Sequence, residues 1–139
     1  MIADWRWITK DEIIEIHSMQ IERYGGLSGI RDEGLLESAL ARPVNLANYE
    51  EIDDPVRLAA SYAFGIARNH PFTDGNKRTA FVAAALFLRI SGMRIRTSQG
   101  DVIDTVLALA AGTLSETDFA DWLRANTAPK NNPTQGEEE

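Results

Sequence analysis

Two apolar stretches, Val56 to Ala67 and Ala80 to Ile90, are separated by a run that cannot be helical throughout: His70-Pro71-Phe72-Thr73-Asp74-Gly75-Asn76-Lys77-Arg78-Thr79. Proline lacks the N–H that a helix needs, and glycine opens positive-φ backbone. Pro71 and Gly75 therefore force a tight loop. The segment reads as helix, loop, helix, with the N-terminus of the second helix turned back towards the histidine. Such a terminus offers unpaired N–H groups and the positive end of the helix dipole, a seat for phosphate.

Each residue type in the run has a task. His70 supplies an imidazole able to accept a proton from a hydroxyl nucleophile. Asp74 is a hard oxygen ligand suited to Mg²⁺, with phosphate oxygens and water completing the shell. Asn76, Lys77 and Arg78 open the second helix, where side chains and backbone N–H groups converge on one anion. Gly75 lets the backbone approach that ligand. Pro71 and Phe72 shape and pack the loop. Any one of these residues alone reads more simply as structural or as solvated surface. The run as a whole does not. Two cations at a helix N-terminus oppose the dipole and cost stability unless an anion is bound there.

The flanking sequence is helical in pattern. Thr9-Lys10-Asp11-Glu12 has capping-box form, and Ile13, Ile16, Met19 and Ile21 continue an apolar face to Arg23, ended by Gly25 and Gly26. His17, one turn after Ile13, reads as a surface or half-buried histidine. Asp32 caps a second helix through Leu35, Leu36, Ala39 and Leu40, expected to stop before Pro43. A polar connection, Asn45 to Asp54, leads to a third helix near Pro55. The helix from Asn76 to Ile90 is apolar nearly all round and is expected to be the central, most buried one. Met93 to Thr97 reads as a short extended segment. Asp101 to Ala111 and a segment opened by Ser115 complete the helices. Trp5, Trp7 and Trp122 are expected to pack the two chain ends together. The fold class is all-α, a compact bundle of about six helices with the active loop between two central helices. Residues 1–128 form one domain and residues 129–139 a disordered polar tail.

Composition removes several alternatives. The net charge is −7, from 14 basic and 21 acidic residues, which argues against direct nucleic-acid binding by counterion release. The basic residues Lys77, Arg78, Arg89, Arg94 and Arg96 cluster mid-chain, which suits a small anionic ligand. There is no cysteine, hence no disulfide framework and no thiolate metal site. Two histidines cannot build a conventional zinc site without carboxylates. The longest apolar run, Ala80 to Leu88, is too short to span a bilayer, which needs about 20 residues. No secretory leader is visible, and the chain is expected in the cytoplasm.

The His70-to-Thr79 run resembles the signature of the Fic superfamily, His-x-Phe-x-acid-Gly-Asn-Gly-Arg. His70, Phe72, Asp74, Gly75, Asn76 and Arg78 fit, and Lys77 in place of the second glycine is the variant of the death-on-curing (Doc) branch. Tyr24-Gly25-Gly26, Gly29-Ile30-Arg31-Asp32, Leu35 to Leu40 and Phe87 to Gly92 look like the same branch. The likeness covers residues 5 to 126. It implies a helical fold and a toxin of a type II toxin–antitoxin pair, using ATP and Mg²⁺ to place a phosphoryl group on a Ser or Thr of a translation factor of the elongation factor Tu class. His70 would be the base, Asp74 the metal ligand, and Gly75, Asn76, Lys77 and Arg78 the phosphate grip. It also implies a Phd-like antitoxin whose C-terminal helix covers the toxin. AMP transfer is the alternative chemistry of the wider superfamily, and an inactive Fic-like binding module is the third reading. The loop from Gly25 to Arg31 would border the active site. An inhibitory helix of pattern Ser/Thr-x-x-x-Glu is matched by Ser18 to Glu22 only in spacing. Arg23 stands where Gly or Asn is expected, so inhibition is assigned to a separate chain.

Overall fold

The computed structural model describes residues 4–129. Its elements are α1 (Lys10–Tyr24), α2 (Glu33–Tyr49), α3 (Pro55–Asn69), α4 (Asn76–Ile90), β1 (Met93–Ile95), α5 (Gln99–Ala111), α6 (Glu116–Ala125) and β2 (Thr127–Pro129). The expected all-α bundle is therefore the fold, with one small antiparallel ribbon added. In the ribbon, Met93 faces Pro129, Arg94 faces Ala128 and Ile95 faces Thr127. β2 was not foreseen, because three residues carry no period to read. Pro129, assigned to the tail, sits in this strand; the rest of the expected tail, 130–139, lies outside the described residues.

Local chemistry explains where the helices start. Side chains of Thr9, Asp32, Asp54, Ser98 and Ser115 accept first-turn backbone N–H groups of α1, α2, α3, α5 and α6, as good N-caps do. At α1 the capping box is complete, with Glu12 returning a bond to Thr9 N. Arg6 grips the same carboxylate through two bonds of 2.7 and 2.8 Å and, with Thr9 N–H, holds its pKa down to about 2. The N-terminal segment is further fixed by Ile8 N–H, which donates to the buried Tyr62 hydroxyl at 2.9 Å.

Two expectations are corrected. α2 does not stop before Pro43 but runs to Tyr49, taking in the first part of the supposed connection. A proline inside a helix forfeits one hydrogen bond and typically costs about 3 kcal/mol. Here Leu36, Ala39, Pro43 and Ala47 form one buried stripe at helical spacing, and their burial against the core outweighs that cost. The approach of α2 to α3 is close: a Cβ on Gly65 would come within 3.0 Å of Ala39 Cα. The most buried helix is α3, not α4. It packs against α2, α4, α5 and α6 at once. The all-round apolar α4 has a face left over, and Phe81, Val82, Ala85 and Leu86 are only half-buried.

The tryptophans dock separately. Trp5 and Trp7 lie on Phe87 of α4, with ring centroids 5.8 and 5.9 Å away. Trp122 stacks on Phe119 of its own helix at 5.8 Å. Among the described residues no ring contact joins Trp122 to the other two. All three tryptophans thus pack against one core.

Candidate active site

The loop between α3 and α4 begins where α3 runs out of hydrogen bonds. His70 is the C-cap, in left-handed backbone (φ 54, ψ 54), and its N–H still donates to Ile66 O. A non-glycine residue there is uncommon, and histidine is among those that tolerate it. The conformation ends the helix and leaves the His70 side chain exposed at the rim. Pro71 and Phe72 then turn inward and are buried. Asn76 clamps the loop: Phe72 N–H donates to Asn76 Oδ1, and Asn76 Nδ2 donates to Phe72 O, both at 2.9 Å. The carboxamide expected to face an anion is thus buried and spent on the loop backbone.

Asp74 remains exposed. Its Oδ2 accepts Leu27 N–H at 3.2 Å and its Oδ1 accepts Gly75 N–H at 2.9 Å. These two bonds, first Leu27 and then Gly75, hold the carboxyl below its ordinary range, helped by the positive charge of Arg78. Gly26 makes the Leu27 contact possible. It has φ 119, and a Cβ there would lie 2.7 Å from Asp74 Oδ2. Arg78 donates to Gly25 O at 3.2 Å and lies over the Tyr24 ring at 5.1 Å. Lys77 is exposed and without an ion pair among the described residues. Gly75, at φ 75, is the N-cap of α4, and unlike the other five caps it supplies no side-chain hydrogen bond. The first-turn N–H groups of α4 therefore keep their capacity to bind an anion.

The segment from Gly29 to Leu35 forms the other wall. Thr73 N–H donates to Gly29 O, Ile30 bridges Phe72, and Arg31 and Asp32 N–H both donate to Pro71 O. The Gly25-to-Arg31 loop thus runs along the 70–79 run rather than away from it. His17 also differs from expectation. It is 4% exposed, stacks on Phe72 with centroids 3.9 Å apart, and donates from Nε2 to Asp74 O at 2.8 Å. The signal was its place one turn after Ile13, on the face that α1 turns to the core. Ser18 and Glu22 are exposed on α1, and Glu22 pairs with neither Lys77 nor Arg78, so this segment is an ordinary helix end.

An apolar groove lies beyond the loop, lined by Phe81, Val82, Ala85, Leu86 and Val102, with Arg89 among its polar residues. None of residues 70–79 lines it. Helical spacing nevertheless puts Lys77 and Arg78 one turn before Phe81 and Val82 on the same face of α4. Among the described residues no three His, Cys, Asp or Glu side chains cluster as a metal site. No helix of the described residues is long and apolar enough to cross a membrane.

Residues 7–88 match the model of the Fic/DOC family. The chain is 40% identical over 119 residues to "Protein kinase doc" of Escherichia phage P1, covering 86% of this chain and 94% of that protein. It is also 45% identical over 75 residues to "Toxin Doc" of Mycolicibacterium smegmatis, covering 52% of this chain and 56% of that one.

Proposed function

The chain belongs to the Fic/DOC family, and from that premise we propose that it is a Doc-like toxin which transfers the γ-phosphoryl group of ATP to a protein hydroxyl. The observation that carries this reading is the loop itself. An exposed histidine, a carboxylate fixed by two backbone N–H groups and a helix N-terminus with no side-chain cap lie on one seven-residue turn.

Mg·ATP fits the residues present. Asp74 keeps free lone pairs on both oxygens, and its backbone hydrogen bonds hold its pKa below the ordinary carboxylate value, which suits one protein ligand to a cation otherwise held by phosphate and water. When bound, Mg²⁺ neutralises phosphate charge and draws the transferring group into line. Asp74 would hold it. The N–H groups at the start of α4, with Gly75 allowing close approach, would hold phosphate oxygens, and Lys77 and Arg78 would add charge. His70 would take the proton as the Ser or Thr oxygen attacks phosphorus. The bond from phosphorus to the bridging oxygen of ADP breaks, and the proton passes from His70 to solvent. Asn76 contributes its backbone N–H and its clamp on Phe72.

Lys77 favours this reading over AMP transfer. A lysine fills backbone space that a glycine leaves open and puts a charge at the reacting centre. ATP labelled separately at the α and γ phosphates, incubated with a bacterial lysate, should label one protein from the γ position only. Lys77→Gly should weaken that labelling. Label from the α position with the wild-type chain would replace the proposal by AMP transfer. The acceptor, proposed on the resemblance as a translation elongation factor of the Tu class, would be identified by mass spectrometry of the labelled protein.

A toxin needs restraint, and α1 carries no inhibitory contact to the loop. We assign restraint to a Phd-like antitoxin whose C-terminal segment folds into a helix on the α4 groove, with a carboxylate near Arg78 or Lys77. Leu86→Glu would put a charge on the groove floor. It should abolish inhibition by the antitoxin encoded beside the gene and leave the uninhibited transfer rate unchanged. Full inhibition of this variant would remove the groove from the proposal.

A further inference from the structure

Arg31 lies outside the motif, in the loop between α1 and α2, yet its side chain ends on the residue before the loop turns. Its Nε donates to His70 O at 2.7 Å and its Nη2 donates to Asn69 O at 3.0 Å. Its own N–H donates to Pro71 O at 2.7 Å. One residue therefore binds three consecutive carbonyls, those of Asn69, His70 and Pro71. Asn69 is tied from the same side by its Nδ2, which donates to Leu35 O at 3.0 Å.

Two physical needs meet here. The last carbonyls of a helix have no partner within it and carry the negative end of the dipole, which a cation satisfies. His70 is also held in left-handed backbone, which costs of order 1–2 kcal/mol for a residue with a Cβ and persists only when its surroundings impose it. The planar guanidinium fork spans two neighbouring carbonyls at once, which a single ammonium cannot do with fixed geometry. Released, His70 would relax towards ordinary backbone and its ring would leave the rim.

We infer that Arg31 is a positioning residue for His70, holding the imidazole at the angle from which it reaches the acceptor hydroxyl. This rests on the reading of His70 as general base. Arg31 touches no reacting atom, so its removal should act on turnover and not on nucleotide binding.

The test uses the full chain with Arg31→Ala. kcat should fall about 10- to 100-fold, the range for a small displacement of a reacting group, while KM for ATP stays unchanged. Millimolar guanidinium should restore part of kcat by refilling the vacated fork, which a general loss of stability would not allow. The three-bond HN–Hα coupling of His70 should leave its left-handed value. An Ala variant with wild-type kcat, or one whose His70 coupling is unchanged, would overturn the inference. Should Arg31→Ala not fold, Arg31→Lys decides in the same way, with a smaller loss confined to kcat. If the wild-type chain transfers nothing, the functional proposal falls, and the coupling measurement still decides whether Arg31 holds the His70 backbone.

Discussion

Replacing His70 by alanine should abolish transfer while leaving a folded protein. The side chain is exposed and makes no contact that packs the core, so thermal unfolding should move little. Removal of a general base typically costs about 10² to 10⁴ in rate. The left-handed backbone at this position calls for a second variant, because alanine tolerates it less well than asparagine does. His70→Asn keeps the backbone preference and removes the imidazole, and it should lose transfer equally. A folded His70→Ala protein that labels its target at the wild-type rate would remove the catalytic reading and leave the binding module.

Phe72→Ala should produce the largest loss of stability among single changes in the loop. The ring is completely buried, lies flat against His17 at 3.9 Å and belongs to the continuous core. Truncating a buried phenylalanine costs about 3–5 kcal/mol. That is a large part of the 5–15 kcal/mol by which single domains are usually stable. Denaturant midpoints measure it, with Thr73→Ala as the neighbouring exposed control, which should stay within about 0.5 kcal/mol of wild type. The stack by His17 depends on this ring, and the Asn76 clamp holds only the backbone of the same residue, so the loop loses its side-chain anchor and transfer should fall even where the variant remains folded. An unchanged midpoint would mean that the loop is not anchored through Phe72.

The contrast between the two residues separates the chemistry of the loop from its support. His70 is exposed, so its loss should spare the fold and act on the proposed reaction; Phe72 is buried, so its loss should act on the fold first, although the two are only two positions apart. The same run carries both because the loop is held from inside at Phe72 while His70 and Asp74 face out.

What was legible in the chain was whatever depends on near neighbours. Thr9, Asp32 and Ser115 cap the helices they were assigned to, and α4 begins at Asn76 and ends at Ile90. A cap or an apolar stripe is decided within one or two turns, so its signal is local. Pro43 misled because its local cost was outweighed by burial against α3. The apolar surround of α4 misled because apolar composition does not say which face finds a partner, and one face lines the groove instead. The residues that hold the site are still further from local reach. His17 meets Asp74 across 57 positions, and Arg31 meets His70 across 39. Asn76 carries the spacing of a phosphate ligand yet spends its side chain on Phe72. The chain by itself supplied the candidate groups for the proposed chemistry, since type and spacing within ten residues are enough to single them out. Only the tertiary structure decided which of them face outward and what holds them there, because those contacts exist only once α1 and the 25–35 segment have packed against the loop.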